Sequence, residues 1–195
     1  MNAHLSTSTA GRMTVEQFLD WAQAQAKGRY ELVDGVPVKM SPERNQHALV
    51  KGAVYRAFVA AVEKAGIDCV VFPDGPMVVI DQDRSRGPDI VVHIGPAFDP
   101  NALTVDSPVI LVEVTSPTTM RTDTDDKLIE YFSLPSVHHY VLVHPDRQVI
   151  VHHRRIEGNA IETRIASRGT LEFDPPGFAV DIDRFFSDLP LGRAS

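Results

Sequence analysis

Short apolar runs bounded by turn residues make up most of the pattern along this chain. Because they are rich in Val, Ile and aromatic residues, they predict β-strands. They lie at residues 69–72, 77–80, 89–93, 109–114, 137–143, 148–154, 160–166 and 171–173. A further alternating stretch at residues 29–38 surrounds Asp34-Gly35, a pair that favours the tight turn of a β-hairpin.

Three longer segments carry apolar residues at helical spacing instead, and they predict helices at residues 14–22, 47–65 and 123–132. Thr14 with Gln17 three places later predicts a capping box at the first helix, and Gly66 predicts the end of the second. Residues 182–186 predict a short helical turn. The order helix, hairpin, helix, strands, helix, strands predicts an α+β fold, α/β in loose usage, with a mixed central β-sheet flanked by helices.

Composition adds a size class and a compartment to this picture. With 195 residues, 43% of them hydrophobic, the chain suits one globular domain with a sizeable core. We expect a disordered tail at residues 1–12 and a single domain at residues 13–190. Cys69 is the single cysteine, so no intramolecular disulfide can form, which is typical of the reducing cytoplasm. No apolar run reaches about 18 residues, so no membrane span is expected.

The charge balance narrows the binding classes. A formal net charge of -7 argues against a broad non-specific DNA binder, which is normally basic. It does not exclude a nuclease, because acidic site residues add to the negative count and a local basic stripe can still follow phosphates.

Two carboxylates inside apolar runs are the strongest candidates for chemistry. Asp89 follows Pro88 at the start of one predicted strand, and Glu113 lies between Val112 and Val114 in another. A buried ionised carboxylate needs a partner or a metal ion. Two of them at matching places on neighbouring strands can share one divalent cation, which is the arrangement of a metal-dependent phosphodiesterase site.

Lys127 on the third predicted helix is the candidate for a positive charge beside these acids. Tyr131 lies four places later, on the same helical face. The connection from Glu113 is short, so the helix is expected to pack back beside the Glu113 strand. There a lysine can position or deprotonate the attacking water, or stabilise developing charge.

At this point the chain resembles the Uma-type restriction endonucleases, a bacterial family within the PD-(D/E)XK nuclease superfamily. The ordered set of matching phrases covers residues 29–35, His47, 88–92, 112–117, Asp123 with Lys127 and Tyr131, and 140–145. The resemblance extends over about residues 13 to 190. It implies a restriction-endonuclease-like fold with the site at one sheet edge, and a Mg²⁺ or Mn²⁺ cofactor.

The resemblance also implies roles for individual residues. Asp89 and Glu113 are the expected metal ligands, the carbonyl of Val114 is a further ligand, and Glu31 is expected to complete the shell. The chain departs from the superfamily pattern at Thr115, where a lysine is usual two places after the glutamate. Lys127 resembles a migrated replacement for that lysine.

Three further residues are expected to meet the substrate. His47 begins the second predicted helix and can bind phosphate or shuttle a proton. Arg84 and Arg86 precede Asp89 and can contact phosphates near the metal. The pairs His138-His139 and His152-His153 do not predict a zinc site, because adjacent strand residues point to opposite faces. Thr115 and Ser116 show no His-Asp partnership, so a serine hydrolase is not expected.

These observations favour a divalent-metal-dependent endonuclease that hydrolyses DNA phosphodiester bonds. Two alternatives stay open: a catalytically degenerate binding module of the same fold, and a metal-dependent phosphoesterase acting on small substrates. A homodimer is expected for an enzyme that cuts both DNA strands, because two sites are then related by a two-fold axis.

Overall fold

The computed structural model describes residues 11–95, 98–115 and 123–189. Most of the predicted tail, residues 1–10, lies outside the described residues, and the division into a tail and a single domain at 13–190 stays a prediction. Arg12 packs on the hairpin turn, where a Cβ added to Gly35 would lie 2.8 Å from the Arg12 Cβ. Asp34 and Gly35 both have positive φ, as the predicted tight turn requires.

A six-stranded mixed sheet forms the centre of the molecule, which confirms the predicted α+β architecture. Its strand order is β10-β9-β8-β7-β6-β3, and β7 and β8 are parallel whereas the other described pairs are antiparallel. The strands are β3 (Cys69–Pro73), β6 (Ile90–Ile94), β7 (Pro108–Val114), β8 (His139–His144), β9 (Val149–Arg155) and β10 (Ile161–Ala166). Apolar residues on the two faces of this sheet belong to two hydrophobic clusters.

Two smaller sheets accompany the central one, where the sequence predicted a single sheet. A four-stranded sheet of order β2-β1-β5-β4 contains the predicted hairpin. Its strands are β1 (Tyr30–Val33), β2 (Val36–Lys39), β4 (Val78–Asp81) and β5 (Arg84–Arg86). A two-stranded sheet pairs β11 (Thr170–Phe173) with β12 (Phe178–Asp181). β5 and β12 were not predicted.

Within the described residues, three α-helices pack against these sheets. They are α1 (Val15–Gln23), α2 (Asn45–Ala65) and α3 (Asp123–Ser133), and a 3₁₀-helix covers Ile182–Phe186. The predicted capping box of Thr14 and Gln17 is present at α1, and α2 ends at Gly66 in the left-handed conformation. Phe58 of α2 stacks among Phe173, Phe178 and Phe185, which joins α2 to the C-terminal hairpin. No helix in the described ranges has the length and apolar character that crossing a membrane requires.

A buried histidine pair joins the central sheet to the C-terminal hairpin. His139 Nδ1 lies 2.9 Å from His152 Nε2 across β8 and β9, and His139 Nε2 donates to the Pro175 carbonyl at 3.0 Å. Both rings pack on Phe173. Burial lowers the pKa of His139 to about 3 and that of His152 to about 4, from an ordinary value of 6.5. Both rings are therefore neutral in the folded protein at pH 7.

We expect this pair to make the fold acid-sensitive. Below pH 6.5 the unfolded chain binds protons that the folded pair does not, so the free energy of unfolding falls as the pH drops from 7.5 to 5. The loss is on the order of 2 kcal/mol per histidine at pH 5. In urea titrations at both pH values, His139→Leu should be less stable at pH 7.5 yet lose less on acidification. A loss equal to that of the wild type would contradict this assignment.

Candidate metal and phosphodiester site

One cleft brings most of the predicted site residues together. It has a volume of about 930 Å³ and lies where β6 and β7 meet the beginning of α2 and the four-stranded sheet. Residues from all of these elements line it, and the predicted members among them are Glu31, His47, Arg86, Asp89, Glu113, Val114 and Lys127. Arg84 is not among the lining residues.

Asp89 is fixed at the start of β6 by the neighbouring strand. Its backbone N–H donates to the Val112 carbonyl at 3.1 Å, and its Oδ2 accepts from the Val114 N–H at 2.7 Å. His47 Nε2 lies 3.4 Å from Oδ2, and Lys51 Nζ lies 3.3 Å from Oδ1. Burial alone would raise the pKa of Asp89, but the contacts with His47, Lys51 and the Val114 N–H hold it below its ordinary value. The carboxylate is therefore ionised at neutral pH.

Glu113 reaches the same cleft from β7 and is held by α3. Its Oε1 accepts from Lys127 Nζ at 3.0 Å and from the Tyr131 hydroxyl at 2.8 Å. The i, i+4 spacing of the lysine and the tyrosine accounts for this shared grip. Burial, together with the charges of Asp89 and Glu31, raises the pKa of Glu113 to about 7, although Lys127 opposes the shift.

Lys127 also belongs to a chain of alternating buried charges. Lys127 Nζ lies 3.1 Å from Glu31 Oε1, and Arg86 lies 3.2 Å from Glu31 Oε2. The Arg86 guanidinium then donates to both oxygens of Glu130, at 2.6 and 2.9 Å. Glu31 also accepts from the Gly87 N–H at 3.2 Å. These cations and the Gly87 N–H hold the pKa of Glu31 below its ordinary value, against the effect of burial.

Glu43, Lys51 and Asp74 are charged groups close to the beginning of α2 that the sequence did not indicate. Lys51 contacts Glu43, and its Nζ lies 3.0 Å from Asp74 Oδ2. Glu43, His47 and Asp89 each place one ligand atom within 4.8 Å of the others. The sequence gives no signal for Lys51, because a lysine on an amphipathic helix is normally solvated.

The donor groups in this cleft fit a divalent cation. Asp89 is buried and the Glu113 side chain is 14% exposed, and the repulsion between these two oxygen donors contributes to the raised pKa of Glu113. A cation between them would relieve that repulsion. Oxygen ligands suit both Mg²⁺ and Mn²⁺. Of these two cations, Mn²⁺ is the one that accepts the imidazole of His47 more readily. Glu31 is held by Lys127, Arg86 and the Gly87 N–H, and its place in the ligand shell stays a prediction.

The two predicted arginines occupy different environments, and their phosphate contacts stay predictions. Arg86 is 4% exposed and lies between Glu31 and Glu130, an environment that favours a structural role. Arg84 is 36% exposed and pairs with Asp81, and its guanidinium also lies 3.8 Å from Glu130 Oε1.

Thr115 has a histidine partner that the sequence did not indicate. Its hydroxyl lies 2.7 Å from His144 Nδ1 and 3.2 Å from the Val143 carbonyl. His144 is 29 residues away along the chain, so only the pairing of β7 with β8 reveals the contact. Ser116, considered beside Thr115 in the sequence, lies outside the described residues.

Comparison with known proteins assigns the family. Residues 15–184 match the family model of Uma2, described as "putative restriction endonuclease". The chain belongs to the Uma2 family. The resemblance inferred from the ordered motifs is thereby confirmed, over nearly the range expected.

Two relatives place this Uma2 protein more closely. The uncharacterized protein slr1290 of Synechocystis is 24% identical over 186 residues, which cover 93% of this chain and 96% of the relative. The crystal structure of a "putative nuclease" from Anabaena variabilis superimposes with a TM-score of 0.70 at 18% identity, covering 91% of this chain and 99% of that one. This likeness confirms the restriction-endonuclease-like fold.

The two arginines offer a matched test of the buried charge chain. Arg86→Met leaves Glu31 and Glu130 buried without their shared cation, so we expect the free energy of unfolding to fall by roughly 3–5 kcal/mol. Arg84→Met removes a partly exposed ion pair and should cost less than about 1 kcal/mol. Urea denaturation of both variants measures the difference. Equal losses would show that burial of Arg86 does not govern its contribution.

Proposed function

We propose that this Uma2 protein is a divalent-metal-dependent endonuclease that hydrolyses DNA phosphodiester bonds. The observation that carries the proposal is the convergence of Asp89 and Glu113 in one cleft, with Lys127 bonded to Glu113. Two acids and a lysine are the groups that metal-assisted phosphodiester hydrolysis needs. The family description and the name of the Anabaena relative support a nuclease over other hydrolases.

Asp89 and Glu113 would hold the metal, together with the Val114 carbonyl. Mg²⁺ or Mn²⁺ bound there would lower the pKa of a water molecule and offset the negative charge of the phosphate. Asp89 is well suited to a ligand role because the Val114 N–H fixes its orientation and its pKa is low. Glu43 and His47 each have a ligand atom within 4.8 Å of one on Asp89, so they can complete the ligand set.

Lys127 would position the attacking water or stabilise the charge that develops on the phosphate. It lines the cleft, and Glu31 and Glu113 fix its ammonium group from two sides. Tyr131, also on α3, donates to the same Glu113 oxygen and so helps to fix the carboxylate. His47 would contact the phosphate or a metal-bound ligand from the start of α2. The proposal extends to a cytoplasmic homodimer, whose two sites would cut opposite DNA strands.

Removal of either proposed ligand should abolish both cation binding and cleavage. We expect Asp89→Asn and Glu113→Gln to weaken Mn²⁺ binding at least tenfold in calorimetry, because each loses an anionic oxygen donor. Both should lose metal-dependent cleavage of plasmid and linear DNA. Glu63→Gln, an exposed acid near the other end of α2, is the control and should behave as wild type. Wild-type Mn²⁺ affinity in either ligand variant would refute the shared site.

Removal of the lysine should separate binding from turnover. Lys127→Met should retain Mn²⁺ binding but lower the turnover of DNA by at least 100-fold, since the water or the phosphate loses its cation. Because the substitution also leaves Glu31 and Glu113 without their shared ammonium group, thermal unfolding must be checked. Lys127→Arg keeps the charge and serves as the variant that folds if Lys127→Met does not. Unchanged turnover in both would assign Lys127 a structural role alone.

A further inference from the structure

Thr115 directly follows β7 and continues its pairing with β8, on the side that carries Glu113. Successive strand residues point to opposite faces, so residues two apart share a face about 7 Å apart. Thr115 lines the same cleft as Asp89 and Glu113. A hydroxyl at this place faces the space in which a substrate phosphate and its attacking water would meet.

The neighbouring strand β8 supplies two hydrogen-bond partners for the Thr115 hydroxyl. β7 and β8 run parallel, with Val114 beside Val143, and the Thr115 N–H donates to the Val143 carbonyl at 2.8 Å. This pairing brings His144 Nδ1 to 2.7 Å from the hydroxyl oxygen. Burial, aided by the charge of Arg147, lowers the pKa of His144, which favours the neutral ring at pH 7. The hydroxyl can donate to the Val143 carbonyl at 3.2 Å or to Nδ1. In either arrangement its oxygen keeps at least one lone pair for the cleft.

We propose that Thr115 is a catalytic residue of the hydrolysis, whose hydroxyl oxygen accepts a hydrogen bond from the attacking water, and that His144 is its positioning residue. The inference rests on the proposed nuclease function and deepens it. A water that donates a hydrogen bond to the Thr115 oxygen has a fixed orientation, so one of its lone pairs can be aimed at the phosphorus. Loss of such orientation lowers the rate by about 10²-fold.

The bond changes are those of a simple hydrolysis. The water oxygen forms a bond to phosphorus as the bond from phosphorus to the leaving strand's oxygen breaks. The water gives a proton to solvent, and the leaving oxygen takes one from solvent. Thr115 forms no covalent bond, and its contact with His144 through Nδ1 differs from a Ser-His-Asp triad, in which Nε2 meets the nucleophile and Nδ1 meets the acid.

The test compares Thr115→Val with Thr115→Ser. Valine keeps the shape but removes the hydroxyl, so we expect kcat for DNA cleavage to fall about 10- to 100-fold. KM, the Mn²⁺ dissociation constant and the melting temperature should stay within twofold or two degrees, on the order of experimental error. Serine keeps the hydroxyl and should restore kcat to within about threefold of wild type.

A second threonine-histidine pair provides a matched control. Thr163 on β10 contacts His153 Nδ1 at 2.8 Å, and neither residue lines the cleft. Thr163→Val removes the same type of hydrogen bond and should leave kcat unchanged. His144→Phe should reproduce the kcat defect of Thr115→Val, and the double variant should be no worse than either, as expected for residues that act as one unit.

The outcomes separate this inference from the function beneath it. The ¹⁵N shift of His144 Nδ1 should move in Thr115→Val and persist in Thr115→Ser; no movement in either would overturn the hydrogen bond. Cleavage by Thr115→Val at the wild-type rate would overturn the inference alone, as would a serine variant as slow as the valine one. No metal-dependent cleavage by the wild-type protein would overturn the nuclease proposal, and this inference with it.

Discussion

The buried chain of alternating charges is the interaction on which the site depends. Glu130, Arg86, Glu31, Lys127 and Glu113 follow one another through contacts of 2.6 to 3.2 Å. Burying any one of these groups alone would be very costly, and each is tolerated because its neighbours carry the opposite charge. These ion pairs join the small sheet to the central sheet through α3. The same contacts therefore determine the geometry of the cleft and attach the small sheet.

The two acids of the cleft, Asp89 and Glu113, have different electrostatic surroundings. Burial raises the pKa of Glu113 to about 7, the charges of Asp89 and Glu31 add to the shift, and Lys127 opposes it. Asp89 has His47, Lys51 and the Val114 N–H as partners, and its pKa is lowered. Two carboxylates in one cleft thus have opposite electrostatic environments, which favours a cation at their junction and gives Asp89 the more strongly anionic character.

Much of the fold and the acid pair could be predicted from the sequence, and the failures have physical reasons. Short apolar or alternating runs predicted the strands of the central sheet, whereas Arg84–Arg86 gave no strand signal because charged side chains are rarely buried unless they are paired. The burial of Arg86 depends on Glu31 and Glu130, 55 and 44 residues away in sequence. Asp89 and Glu113 stood out as charges inside apolar runs, but Lys51, His144 and the pairing of His139 with His152 depend on contacts across elements that local pattern does not encode.

The parallel pairing of β7 with β8 has a consequence for how this protein and its relatives can diverge. Parallel neighbours need a crossover connection, and here α3, which carries Lys127 and Tyr131, belongs to it. The helix therefore cannot be deleted without dismantling the sheet, whereas its side chains can be exchanged one at a time. A relative that loses the chemistry is expected to keep the architecture, so a shared fold is weak evidence of shared activity. The residue identities at positions 127 and 131 are better evidence.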